Sequence, residues 1–249
     1  MNLECQKKTG SFDYMKNMQI AGLQKSSLLD YPSKIAAVVF TLGCNFRCPY
    51  CHNPNLISAV SSEYLFDEAA LFDFLKSRAG KLDAVVVSGG EPTLQKGLEV
   101  FFSKIKELGF LAKLDTNGTN PAYLEKLIEK GLLDYVAMDI KAPLEKYSKI
   151  TGRNVDTDKI RQSINILQSA SKQGLGYEFR TTVVRSQLDF DDLKKIGLLI
   201  QGSEKYYLQK FVPALTLDKS FKDETTYSNQ EFEQIKDILK PFVKEVFVR

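Results

Sequence analysis

The sequence predicts an α/β fold in a single domain, with six parallel strands separated by helices and curved into a partial (β/α)6 barrel. Two patterns predict it. Short apolar runs rich in β-branched residues alternate with longer segments whose apolar residues recur at helical spacing, and the apolar runs end just before polar motifs. The length agrees: 249 residues, 43% of them hydrophobic, can bury one full core, and α/β barrels of this size commonly do not divide.

Residues 1–34 read as an N-terminal leader and strand, 35–213 as the barrel, and 214–249 as a C-terminal loop, helix and edge strand. Within the barrel, strands are expected over 35–41, 84–88, 111–115, 135–140, 177–184 and 206–212. Helices are expected over 65–78, 98–108, 121–130, 158–173 and 191–200. Repeated β-α units imply a parallel sheet of the TIM type, and right-handed crossovers carry every strand's C-terminal end to one edge. The polar motifs that follow the strands should therefore converge. Beyond the barrel, 229–240 reads as a helix stopped by Pro241, and 243–248 alternates like a last strand. The longest irregular stretches are 1–34 and about 213–227, and loops of that length usually serve function.

Lys and Arg total 34 against 31 Asp and Glu, a net charge of +3, too balanced to make nucleic acid the expected partner. No run approaches the roughly 20 apolar residues that cross a bilayer, nor does the start carry a signal peptide's apolar centre, so a cytoplasmic protein is expected. Three of the four cysteines, Cys44, Cys48 and Cys51, lie within one short loop after the first barrel strand, which in a reducing compartment suggests metal ligation. Cys5 is left as an ordinary thiol.

The loop reads Gly43-Cys44-Asn45-Phe46-Arg47-Cys48-Pro49-Tyr50-Cys51-His52-Asn53-Pro54, a C-x3-C-x2-C spacing. Three thiolates can hold three corners of a [4Fe–4S] cube and leave one iron open, whereas clusters used only for electron transfer normally take four cysteines. A structural zinc site is the alternative. It needs four ligands in closed tetrahedral geometry and would have to recruit His52 or Cys5. His52, the one histidine, adjoins Cys51 directly and is expected to pack or hydrogen-bond beside the cluster.

This loop resembles that of the S-adenosylmethionine radical superfamily, and the string GCNFRCPYCHNP is similar to its glycyl-radical-enzyme activases, above all the anaerobic ribonucleotide reductase activating proteins. Gly22-Leu23-Gln24-Lys25 and Leu28-Leu29-Asp30-Tyr31-Pro32 add to the likeness. The resemblance implies that Cys44, Cys48 and Cys51 ligate the cluster, that S-adenosylmethionine chelates the open iron, and that Tyr50 lies beside its adenine. It runs from about Gln19 to Pro213. One departure is that Val212-Pro213-Ala214-Leu215 lacks the histidine that pyruvate formate-lyase activases carry after their sixth strand.

The later motifs each have a plainer reading. Ser88-Gly89-Gly90-Glu91-Pro92 is a turn in isolation, although paired glycines let backbone approach a ligand and Glu91 can accept from an ammonium. Asp115-Thr116-Asn117-Gly118 contains an Asn-Gly turn, and Asp139 with Lys141, two residues apart on one strand face, reads as a salt bridge. Arg180 shares a strand face with Glu178 and Thr182, again readable as a buried ion pair. By the resemblance, Gly89, Gly90 and Glu91 hold the methionine amino group, and Thr116, Asn117, Lys141 and Arg180 contact the cofactor. Asp115, Thr116 and Asp139 would ligate a monovalent cation.

What the resemblance implies is an oxidoreductase that uses one [4Fe–4S] cluster to cleave S-adenosylmethionine reductively, giving methionine and a 5′-deoxyadenosyl radical that abstracts hydrogen from a glycine of a partner enzyme. With no flavin or NAD fingerprint and no P-loop, the electron would come from an external donor such as flavodoxin or ferredoxin. Two other functions compete: a radical enzyme acting on a small molecule, like 7-carboxy-7-deazaguanine synthases, and a non-catalytic metal or electron-transfer protein.

Overall fold

The structure, a computed structural model, describes residues 18–57 and 65–249; Cys5 lies outside them. One eight-stranded sheet runs through the molecule in chain order. Its strands are β1 (Ile20–Ser27), β2 (Ala36–Thr41), β3 (Ala84–Gly89), β4 (Leu111–Thr116), β5 (Tyr135–Asp139), β6 (Gly176–Val183), β7 (Lys205–Lys210) and β8 (Glu245–Val248). The helices between them are α1 (Glu68–Ser77), α2 (Leu98–Glu107), α3 (Pro121–Glu129), α4 (Tyr147–Thr151), α5 (Thr157–Ala170), α6 (Phe190–Leu199) and α7 (Asn229–Leu239).

The six expected strands are β2 to β7, all parallel. Two strands extend them. β8 follows α7 and pairs parallel to β7, so the terminal helix and strand continue the β/α repeat. β1 pairs antiparallel to β2 at the other edge, a strand inside the stretch expected to be largely irregular. Its mixed sequence, Ile-Ala-Gly-Leu-Gln-Lys-Ser-Ser, carries polar residues because its middle is partly exposed.

Alternation along each strand divides the residues between two faces. Ala37, Val39, Val85, Val87, Ala112, Leu114, Val136 and Phe179 pack in the main core with the helices. Ala36, Val38, Ala84, Val86 and Tyr135 form a smaller cluster on the opposite face. That inner face becomes polar toward β4 and β6, where Lys113, Asp115, Glu178 and Arg180 take the alternate positions. Pairing of Thr41 with Gly89, Thr116 with Met138, and Asp139 with Arg180 brings the strand ends level, so the loops beyond them meet.

Local signals fix the helix starts. Asp67 caps α1 by accepting from Ala69 N and Ala70 N, while α6 and α7 begin in capping boxes, Asp189 with Asp192 and Ser228 with Glu231. Caps of this kind contribute about 1 kcal/mol each. Among the described residues, no helix is long and apolar enough to cross a membrane.

Candidate active site

The strand ends surround a cavity of about 250 Å³. The residues expected to hold the cluster, the cofactor or a cation all line it: Cys44, Cys48 and Cys51, Tyr50, Gly89, Gly90 and Glu91, Asp115, Thr116 and Asn117, Asp139, Lys141 and Arg180. Ser88, Thr182 and Gln209 join them from β3, β6 and β7.

The cysteine loop is pinned from several directions. Gly43 N donates to Leu56 O at 2.7 Å and Cys51 N to Cys48 O at 3.0 Å, closing the loop on itself. Asn45 donates to Thr119 Oγ1 and accepts from Asn117 Nδ2, both at 2.8 Å, tying the loop to the turn after β4. Leu217 N donates to Cys51 O and Asp218 N to Pro49 O, so the segment after β7 is fastened to the loop as well. His52 bonds Val212 O at 2.9 Å through Nε2 and stacks on Phe211, beside the cysteines as expected.

The three cysteines are free thiols. Burial pushes Cys44 up to about 11 and raises Cys48 as well, so a thiolate here calls for a cationic partner such as iron. Among the described residues, no three His, Cys, Asp or Glu side chains are grouped to hold a single metal ion. Three soft donors on one cavity wall fit an iron–sulfur cube with one thiolate at each of three corners.

The paired glycines serve contact between two loops. A Cβ on Gly90 would sit 2.0 Å from Gly43 O, and one on Gly89 would meet the Thr41 backbone at 2.6 Å. This close approach lets Gly90 N donate to Thr41 O and Glu91 N to Gly43 O. Gly90→Ala is therefore expected to push the cysteine loop off its seat: the variant should fold, judged by circular dichroism, yet retain at least about tenfold less iron after anaerobic reconstitution.

Glu91 is fully buried, and its carboxylate accepts from Thr93 N, Thr93 Oγ1, Thr116 Oγ1 and Asn117 N at 2.6–3.1 Å. Burial pushes its carboxyl up, against four hydrogen bonds that favour the charged form. Glu91 thus faces the cavity as an organised acceptor joining the loops after β3 and β4. Asn117 lines the cavity, but its side chain is engaged with Asn45 and Thr119.

Below these loops lies a network of charges. Arg180 donates through Nη1 to Asp115 at 3.2 Å and through Nε to Asp139 at 2.9 Å, and Lys141 reaches Asp139 at 3.0 Å. Lys113 stands 3.0 Å from Asp115. Burial alone would lift the Asp139 carboxyl, but Arg180 and Lys141 outweigh it and hold that carboxyl at about 2. Asp115 is lowered in the same way by Arg180 and Lys113. The Asp139–Lys141 salt bridge read from the sequence is thus present, whereas Arg180 pairs with Asp115 and Asp139 and not with Glu178, which meets Arg249 at 3.0 Å. Thr116 Oγ1 donates to Glu91, and the Arg180 guanidinium links the carboxylates of Asp115 and Asp139.

The Radical SAM superfamily profile matches residues 38–194. A Methanocaldococcus jannaschii protein named "Putative glycyl-radical enzyme activating enzyme" is 35% identical over 236 residues, which is 92% of this chain and 95% of that protein. A pyruvate formate-lyase-activating enzyme of Clostridium pasteurianum is 28% identical over 207 residues, covering 80% of this chain and 83% of the relative. Among solved structures, Streptococcus suis SuiB bound to S-adenosylmethionine superposes with a TM-score of 0.62 over 84% of this chain at 11% identity, a likeness of fold alone. This chain matches 48% of the SuiB chain's length. A domain of a pyruvate-formate lyase-activating enzyme from Bacteroides vulgatus superposes at 0.51 with 14% identity, over 67% of this chain and 98% of that domain. Since the profile spans more than half of the chain, holding most of β2, the cysteine loop and β3 to β6, and the Methanocaldococcus jannaschii relative extends the match beyond it, the chain belongs to the Radical SAM superfamily.

Proposed function

We propose that this protein is an activase: it cleaves S-adenosylmethionine reductively and generates a glycyl radical on a partner enzyme, with anaerobic ribonucleotide reductase as the partner favoured by the string GCNFRCPYCHNP. The observation that carries the reading is the pairing, in one cavity, of three thiols with a set of charged groups suited to an amino acid. Similarity to an activating enzyme along 95% of that relative's length supports it.

Members of this superfamily use a [4Fe–4S] cluster and S-adenosylmethionine, and when both are bound the cluster supplies one electron that breaks the sulfonium bond to C5′. Cys44, Cys48 and Cys51 would hold the cluster. Glu91, accepting from four donors already, presents a fixed negative site for an ammonium, and Lys141 and Arg180 present cationic groups for a carboxylate. Tyr50, buried in the cavity wall, offers an aromatic face to an adenine. Glu91 is held by its hydrogen bonds and the two cations by their ion pairs before any ligand arrives, so little reorganisation is needed on binding. The electron would come from flavodoxin or ferredoxin.

A protein substrate is also supported by the rim. Val212 and Leu215 are 59% and 62% exposed in the segment fastened to the cysteine loop, apolar surface of the kind a partner covers. The test is to incubate reduced, cluster-loaded protein with S-adenosylmethionine and candidate glycyl radical enzymes, and to record electron paramagnetic resonance. A glycyl signal on anaerobic ribonucleotide reductase is expected. A signal only on another candidate would reassign the partner, and cofactor cleavage with no glycyl signal on any would favour the small-molecule radical enzyme.

A further inference from the structure

Arg47 sits inside the cysteine loop, between Cys44 and Cys48, and the mechanism above gives it no task. Its guanidinium Nη1 donates to Cys44 O and to Phe46 O, each at 2.7 Å. The two acceptors are neutral carbonyls. The other cations of the site are matched differently, because Arg180 and Lys141 are paired with carboxylates. The positive charge of Arg47 is therefore held against the cluster-binding backbone without a carboxylate among those contacts.

The backbone around Arg47 is clamped. Its N–H donates to Thr151 O at 2.8 Å, at the end of α4. There Gly152 turns the chain at a φ of 64°, and a Cβ on it would meet Arg47 O at 2.9 Å. The carbonyls of Cys44 and Phe46 accept from the guanidinium, and the Phe46 N–H donates to Cys44 Sγ at 3.4 Å. Net charge and hydrogen bonds to sulfur are two of the quantities that set an iron–sulfur potential.

We propose that Arg47 is a positioning residue that raises the reduction potential of the cluster carried by Cys44, Cys48 and Cys51. A cube held by three thiolates becomes more negative on taking up an electron, and a fixed cation beside it favours the reduced form. The oriented Phe46 N–H acts in the same direction. Arg47 therefore brings the cluster within reach of a mild external donor. The inference rests on the cluster and not on the identity of the partner enzyme.

The test uses cluster-loaded full-length protein without S-adenosylmethionine, titrated with dithionite and redox mediators and followed by electron paramagnetic resonance. Arg47→Met should lower the equilibrium constant for one-electron reduction about tenfold, which is about 59 mV more negative. Arg47→Gln, which removes the charge but keeps a donor for the carbonyls, should fall in the same direction, while Arg47→Lys should stay near the parent. A change below about twofold in both neutral variants would overturn the proposal, and so would an equal fall in Arg47→Lys. Loss of iron from both neutral variants would also overturn it, because Arg47 would then hold the loop and do nothing more.

Discussion

Cys48→Ala is expected to abolish cluster binding and, with it, reductive cleavage of S-adenosylmethionine. Cys48 is one of three thiols in the cavity and, at 7% exposed, the most enclosed of them. Losing an outer contact to a metal ligand already costs about 10- to 100-fold in affinity, so losing a ligand itself should exceed about 100-fold. The fold should survive. A cysteine-to-alanine change removes one sulfur from a chain whose core is built mainly by β2 to β7 and their helices. Iron and sulfide per chain after anaerobic reconstitution, together with methionine release under reductant, measure the outcome. Full iron retention in Cys48→Ala, or unchanged methionine release, would show that these thiols do not carry the chemistry.

Arg180→Met should have the largest effect on stability. The Arg180 side chain is only 11% exposed and neutralises Asp115 and Asp139 together. Breaking a buried pair by removing one partner typically costs about 3–5 kcal/mol, because the other charge stays behind unmatched. Lys113 and Lys141 offset part of that cost here. Against a total stability of about 5–15 kcal/mol the remainder is large, and urea denaturation should show a clearly lower midpoint at an unchanged slope. Asp139→Asn added to Arg180→Met should recover part of the loss, since it removes one of the two stranded charges. A double variant no more stable than Arg180→Met alone would mean that the pair does not act as a unit.

Strand and helix periodicity made the six β/α units legible, and with them the convergence of the polar motifs on one cavity. What periodicity cannot carry is contact between loops distant in sequence. Nothing local in Asn45 announces its bonds to Asn117 and Thr119, and nothing in Thr93 announces that it and Thr116 share the carboxylate of Glu91. α4 is only five residues long, too short to register as amphipathic, yet its end grips the cysteine loop through Thr151 and Gly152. Gly89 and Gly90 were legible as sites of close approach, but the backbone they approach is the protein's own. The link between Asp115 and Asp139 through Arg180 needed the register of β4, β5 and β6, which becomes visible only when the sheet is assembled.

Among the described residues the sheet ends in two different strands, β1 on one side and β8 on the other, and its order runs from the first to the last without returning to the start. A ring that does not close is a trough, and in the proposed activase such an opening would let an extended loop of a folded client enter without requiring that client to come apart. The same gap admits solvent. A species reactive enough to strip hydrogen from a carbon centre would be spent on whatever reached it first, so on the proposed reading the client itself would serve as the missing wall.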